Sequence, residues 1–227
     1  MSTPHSALVI GASRGIGLGL VRQLLGAGWQ VTATVRDPAR AAELAALPGV
    51  ELATLELTQA DSQDALARQL EGRRFDLILV NAGIYGPAHQ SASQASEAEV
   101  AQLFMTNAVA PVRLAERLKG QLRDGGTLAF MSSTLGSVAG NDSGGLALYR
   151  ASKAALNSLT RSLLAEWQGP RPTVLNLHPG WVKTDMGGDS ADIDVETSTA
   201  GLLRQIEAHA GRGGQHYLDY KGQALPW

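Results

Sequence analysis

The chain of 227 residues is long enough to bury one α/β core and too short for two ordinary domains with a linker, so residues 1–227 are expected to form a single domain. Its 19 basic and 21 acidic residues, with no basic block, leave no electrostatic footprint for nucleic acid or an anionic membrane, and a small molecule is the expected partner. Absence of cysteine removes disulfides, thiolate nucleophiles and cysteine metal sites; polar Met1–Ser6, and the lack of any run near the roughly 20 apolar residues of a membrane span, make a cytoplasmic location the expectation.

Ala7–Ile10 is the first of five short runs that are apolar on consecutive positions, the pattern of parallel strands covered on both faces. It leads into GASRGIG at Gly11–Gly17, after which Ile16, Leu20, Val21, Leu24 and Leu25 recur at helical spacing. The second run, Val31–Val35, is followed by Arg36 and by Asp37-Pro38, an N-cap with proline at the first helical position. Leu77–Val80 ends in Asn81-Ala82-Gly83, and Glu97–Leu118 reads as a helix containing Asn107 and Pro111. Leu128–Met131 exits into Ser132 and Ser133, Tyr149–Trp167 reads as a helix opening on YRASK, and Val174–Leu177 exits through His178-Pro179-Gly180. Repeated strand, helix, strand units predict a doubly wound sheet with right-handed crossovers. His89–Ala98 and Asn141–Gly145 read as loops on one face.

The turn at Gly11–Gly17 lies between a strand and a helix, the context of a dinucleotide-binding turn: absence of Cβ lets pyrophosphate reach the free N–H groups at the helix start. Alone, it would equally suit a flexible connection. Val35 cannot hold ribose hydroxyls, whereas Arg14 and Arg36 offer two guanidinium forks to a 2′-phosphate. NADPH is therefore expected over NADH, unless both are plain surface arginines.

Tyr149 and Lys153, four apart, share a helix face. Bringing a tyrosine from a pKa of about 10 to about 7 asks for roughly 4 kcal/mol. One unit charge at about 4 Å supplies roughly that in an effective dielectric of about 20. Tyr149 is thus expected to act near neutral pH as acid toward a carbonyl oxygen, or as base in reverse; the pair standing alone would be an exposed helix face. Ser133 is placed to hold the substrate oxygen, with Ser132 facing away by strand alternation. Pro111 removes the N–H that would bond the carbonyl of Asn107, which predicts a kink and a free carbonyl able to hold a relay water toward Lys153. Asn81, Ala82 and Gly83, like Pro179 and Gly180, belong at the carboxyl edge where ligands bind. The Val182 backbone and Thr184 hydroxyl are assigned to a nicotinamide carboxamide, and Tyr85, Trp181 and Met186 to the substrate pocket. The five histidines show no metal-ligand spacing, and no metal is expected.

Taken in order, Gly11–Gly17, Asn81-Ala82-Gly83, Asn107, Ser133, Tyr149 with Lys153, and Pro179-Gly180 resemble the short-chain dehydrogenase/reductase superfamily along essentially the whole chain. YRASKAALNSLTRSL from Tyr149, LHPGWVKTDMGG over Leu177–Gly188 and the closing YLDYKGQALPW look like the branch containing sniffer-type carbonyl reductases and C-factor signalling proteins. The resemblance implies a Rossmann fold, a seven-stranded parallel sheet with helices on both faces, binding NADP(H). It also implies a cofactor site that takes in Ser13, Gly15, Ile16, Glu56 and Leu57, and a Ser-Tyr-Lys mechanism assisted by Asn. A homodimer or homotetramer paired through the helices at Glu97–Leu118 and Tyr149–Trp167 is implied as well. Glu56 stands where the family usually has aspartate, and the loop from Ser133 to Tyr149 is longer than the commonest spacing. With a short segment after Thr184, this implies an open substrate mouth. The expected activity is NADPH-dependent reduction of an aldehyde, ketone or quinone-like carbonyl. The alternative is an NAD(P)-binding signalling or cofactor-sensing protein, against which the intact catalytic set argues.

Overall fold

Seven strands, β1 (Ser6–Ile10), β2 (Gln30–Val35), β3 (Val50–Thr54), β4 (Phe75–Val80), β5 (Leu122–Met131), β6 (Thr173–His178) and β7 (Gly214–Asp219), make up the sheet of the computed structural model, which describes residues 4–227. All neighbours pair in parallel, in the order β3-β2-β1-β4-β5-β6-β7. The crossovers carry α1 (Gly15–Gly26), α2 (Ala42–Ala45), α3 (Ala60–Gln69), α4 (Glu97–Phe104), α5 (Ala110–Arg117), α6 (Ala147–Ala165) and α7 (Val195–His209). This is the doubly wound Rossmann architecture that the motif order implies. The strand order reverses between β1 and β4, and the carboxyl ends of these strands diverge into the crevice where such sheets bind ligands.

Alternate residues along each central strand feed two separate cores. Leu8, Ile10, Ile78, Val80, Leu128 and Phe130 pack with Leu66, Leu114 and Leu156 of α3, α5 and α6. Ala7, Val9, Ala33, Leu77, Leu79, Ala129 and Leu175 pack with Leu20, Leu24, Leu44, Leu202 and Ile206 of α1, α2 and α7. Burial on both faces is why these strands read as consecutive apolar runs, and each fully buried leucine or isoleucine contributes about 1.5–3 kcal/mol.

One helix differs from the sequence expectation. α4 opens with a capping box, the Glu99 N–H donating to Ser96 Oγ at 3.3 Å and the Ser96 N–H donating to Glu99 Oε2 at 2.9 Å. The helix expected from Glu97 to Leu118 with a kink at Pro111 instead widens into a single π turn, Met105–Val109, before α5 resumes with Pro111 in its first turn. Proline supplies no N–H to the preceding turn, so the ladder shifts its register rather than merely bending. Among the described residues, no helix is long and apolar enough to cross a membrane.

Candidate active site

The glycine turn lies at the carboxyl end of β1, against the end of β4. Gly11 and Gly15 adopt φ of +81° and +54°, which side chains rarely tolerate. At Gly17 the constraint is space: a Cβ would lie 2.2 Å from the Gly11 carbonyl oxygen and 2.8 Å from Asn81 Nδ2. Asn81 Nδ2 donates to that same oxygen at 2.9 Å, so the end of β4 braces the turn. Ser13 and Ile16 are half-buried on it. α1 starts without a side-chain cap and without an acid in its first turn. Its leading N–H groups and positive dipole end are left for an anion, and the pyrophosphate of a dinucleotide fits them.

At the far end of the crevice Val35 is buried and Arg36 exposed. The Asp37 carboxylate accepts from the Ala39 N–H at 3.0 Å, with Pro38 opening a short 3-10 turn, so this acid is engaged as a cap. Arg14 is ion-paired with Asp185 from the loop after β6. Glu56 Oε1 accepts from Thr58 Oγ1 at 3.1 Å, and Leu57 beside it is buried.

Three distant segments meet at Gly83. A Cβ built there would lie 3.3 Å from Asn107 Oδ1 and 3.4 Å from Lys153 Nζ, which brings the end of β4, the π turn and α6 to one point. Asn107 is fixed through its side chain: Oδ1 accepts from the Ile84 N–H at 2.8 Å, while Nδ2 donates to the Ile84 carbonyl at 2.8 Å and to Ser152 Oγ at 3.1 Å. Ser133 Oγ accepts from the Leu135 N–H at 3.2 Å at the exit of β5. Ser132 turns the other way and donates to Asn157 Oδ1 at 2.8 Å, as strand alternation predicts.

Tyr149 is half-buried, its ring stacked on Tyr85 with centroids 5.7 Å apart. Burial pushes the phenol up to about 12; Tyr85 adds to the rise and hydrogen bonding with Ser133 opposes it. The expected drop toward neutrality is therefore absent. Lys153 Nζ is 5.7 Å from the Tyr149 ring centroid and is directed to the Met131 carbonyl, to which it donates at 2.8 Å. Burial pushes Lys153 itself down to about 8. Desolvation of the charged form is the largest cause of both shifts. Tyr149 is a proton-bearing phenol at neutral pH, suited to donate.

Beyond β6 the Pro179 carbonyl accepts from Ser198 Oγ at 2.6 Å, and a Cβ on Gly180 would lie 2.6 Å from Ile193 Cδ1. Val182 is buried and bridges to Ile193. The Thr184 hydroxyl donates to the Val182 carbonyl at 3.3 Å and accepts from the Gly187 N–H at 3.1 Å, both within its own turn. Its methyl lies 3.4 Å from a Cβ built on Gly15, which sets this loop against the glycine turn. Of the three pocket candidates, Tyr85 is on Tyr149, whereas Trp181 donates to the Gly187 carbonyl at 2.8 Å and is 49% exposed, with Met186 52% exposed on the same loop.

Two residues near the site carried no signal in the sequence. Tyr217 of β7 donates its hydroxyl to the Ser133 carbonyl, and Gln90 joins the loop after β4 to the start of α6. A tyrosine in an edge strand and a glutamine in a polar loop both look like surface.

Comparison with known proteins extends the likeness beyond the motifs. The sequence profile described as short chain dehydrogenase matches residues 5–194. A carbonyl reductase from Pseudomonas aeruginosa, solved in complex with NADP, is 46% identical, with a TM-score of 0.92 over 99% of this chain and 100% of its own. A short-chain dehydrogenase/reductase from Burkholderia multivorans with bound NADP is 38% identical, with a TM-score of 0.94 over 99% of this chain and 100% of its own. The C-signal protein of Myxococcus xanthus is 37% identical over 158 residues, 67% of this chain and 92% of that protein. Because the matched span contains both the glycine turn and the Tyr149–Lys153 helix, the chain belongs to the short-chain dehydrogenase family.

Proposed function

We propose that the protein is an NADPH-dependent reductase of a small-molecule carbonyl, an aldehyde, ketone or quinone, with Tyr149 as the proton donor. The meeting of Gly83, Asn107 and Lys153 at one point on the carboxyl edge of the sheet, beside Tyr149 and Ser133, is the observation that carries this reading. When bound, a reduced nicotinamide supplies hydride. The chain's own residues do the rest. The Ser133 hydroxyl orients the carbonyl oxygen, and Tyr149 delivers its proton to that oxygen as negative charge develops. Lys153, kept close by the Met131 carbonyl, stabilises the resulting phenolate, and Asn107 fixes the wall opposite.

Cofactor choice is supported by the exposed Arg36 after buried Val35, and by the NADP bound to the two solved relatives. Gly11, Ser13, Gly15, Ile16 and Gly17 hold the pyrophosphate in this reading, Asn81, Ala82 and Gly83 border the ribose and nicotinamide, and Arg36 with Arg14, released from Asp185, takes the 2′-phosphate. Initial rates of NADPH and NADH oxidation against aldehydes, ketones, diketones and quinones test it. We expect turnover of at least one class, with kcat/KM for NADPH about tenfold or more above that for NADH. Equal or better use of NADH would overturn the cofactor assignment. The likeness to C-signal favours one second reading, a signalling protein that binds NAD(P), and tight NADPH binding without turnover of any carbonyl would support it.

A further inference from the structure

A single side chain ties the loop after β4 to the start of the catalytic helix. Gln90 is buried in that loop, 6% exposed, at φ +51°, a left-handed conformation uncommon for any residue with a long side chain. Its amide reaches in two directions. Nε2 donates to the carbonyls of Tyr85 at 2.9 Å and Pro87 at 2.8 Å, while Oε1 accepts the backbone N–H of Tyr149 at 2.9 Å.

That N–H belongs to the first turn of α6, where no intrahelical acceptor exists. α6 has no side-chain cap of its own, and the residue at its N-cap, Leu146, is left-handed at φ +49°. Gln90 therefore caps the helix from 59 positions away, and the same amide holds the segment that carries Tyr85. Among the described residues, Gln90 and Leu146 are the only non-glycine residues with positive φ. Both costly conformations flank one bridge, and such conformations persist only where the surroundings enforce them. The Tyr85 ring, stacked on Tyr149, is the wall that this bridge holds in place.

We propose, resting on the carbonyl-reductase reading above, that Gln90 is a positioning residue of the substrate site: its amide fixes the Tyr85 wall relative to Tyr149. The substrates that feel this are carbonyls bearing a flat or bulky apolar group able to pack on the Tyr85 ring. Gln90 acts through the Tyr85 carbonyl and the Tyr149 N–H.

The experiment compares wild type, Gln90→Gly, Gln90→Glu and Tyr149→Phe. Gln90→Gly removes the amide but suits the left-handed backbone, which protects the fold; Gln90→Glu keeps an acceptor for the Tyr149 N–H and loses the donors to Tyr85 and Pro87. In both, KM for an aromatic aldehyde or ketone is expected to rise about tenfold, with KM for NADPH and for a short aliphatic aldehyde within about twofold. Amide hydrogen exchange at Tyr149, which needs no turnover, should quicken about tenfold in Gln90→Gly, hold near wild type in Gln90→Glu, and stay unchanged in the second half of α6. Parallel movement of KM for NADPH and every carbonyl, or wild-type exchange at Tyr149 in Gln90→Gly, would overturn the proposal. A wild type that turns over no carbonyl, or an active Tyr149→Phe, defeats the reductase reading instead, and exchange at Tyr149 then decides alone whether Gln90 joins loop to helix.

Discussion

Lys153 is buried and Tyr149 half-buried, and burial moves their titrations in opposite directions, the phenol up to about 12 and the ammonium down to about 8. The proposed mechanism needs a proton on Tyr149 and a charge on Lys153, and of the two the lysine titrates first as pH rises. We expect kcat/KM for reduction to be flat at neutral pH and to fall through about pH 8. Lys153→Arg, whose guanidinium stays protonated, should move that limb upward even where the rate is lower; a limb that stays put belongs to another group. The same burial works against stability. The folded pKa of about 8 lies below the ordinary 10.5, so between these values the unfolded chain binds more protons, and this group's contribution to stability rises with pH across that window. Lys153→Met removes this desolvation cost together with the hydrogen bond to the Met131 carbonyl, so stability at pH 7 is expected to change by less than about 2 kcal/mol while turnover is abolished, as read by denaturant unfolding beside the assay. The four-residue spacing put both groups on one face of a helix. It carried no information on the Met131 carbonyl, which comes from β5 and accepts from the ammonium at 2.8 Å.

Elements covered on both faces were legible as apolar runs, and the edges were not. β3 exposes Glu51 and Thr54, and β7 opens with Gly214, Gln215 and His216, because an edge strand has one neighbour and needs less apolar cover. In the helix broken by Pro111 the fault was visible but its form was not, since a kink and a π turn answer the same missing N–H. The glycine turn was legible because its constraint is local. At Gly17 that constraint can be measured: Gly17→Ala would force a Cβ to 2.2 Å from the Gly11 oxygen. We expect it to cost about 1–3 kcal/mol of stability and to weaken NADPH binding about tenfold or more, measured by thermal unfolding and by cofactor fluorescence titration. Unchanged NADPH affinity would mean that the turn does not hold the cofactor.

Across the whole molecule, a buried polar network supports the Ser133 segment from three elements. Asn157 of α6 accepts from Ser132 Oγ at 2.8 Å and from Asn176 Nδ2 of β6 at 3.0 Å, and Gln215 of β7 donates to Asn176 Oδ1 at 3.0 Å. Tyr217 holds the Ser133 carbonyl and packs against Trp227 with ring centroids 5.1 Å apart, while the Trp227 carbonyl accepts from the Ala139 N–H at 2.9 Å. None of this is legible in sequence, where Asn157 looks like the wet side of a helix. Tyr217→Phe removes one of two donors to the Ser133 carbonyl, the Gly136 N–H at 2.8 Å remaining, and should cost about 0.5–1.5 kcal/mol in denaturant unfolding. A loss within error would show that the network supports Ser133 without Tyr217.

Tyr149→Phe separates chemistry from binding, because it removes one oxygen from a ring that Tyr85 continues to hold. With NADPH affinity held within about twofold by fluorescence titration, steady-state reduction of the best carbonyl is expected to fall by about 10²–10⁴. Carbonyl turnover at the wild-type rate in Tyr149→Phe would contradict the assignment of Tyr149 as the proton donor, and with it the proposed reductase mechanism.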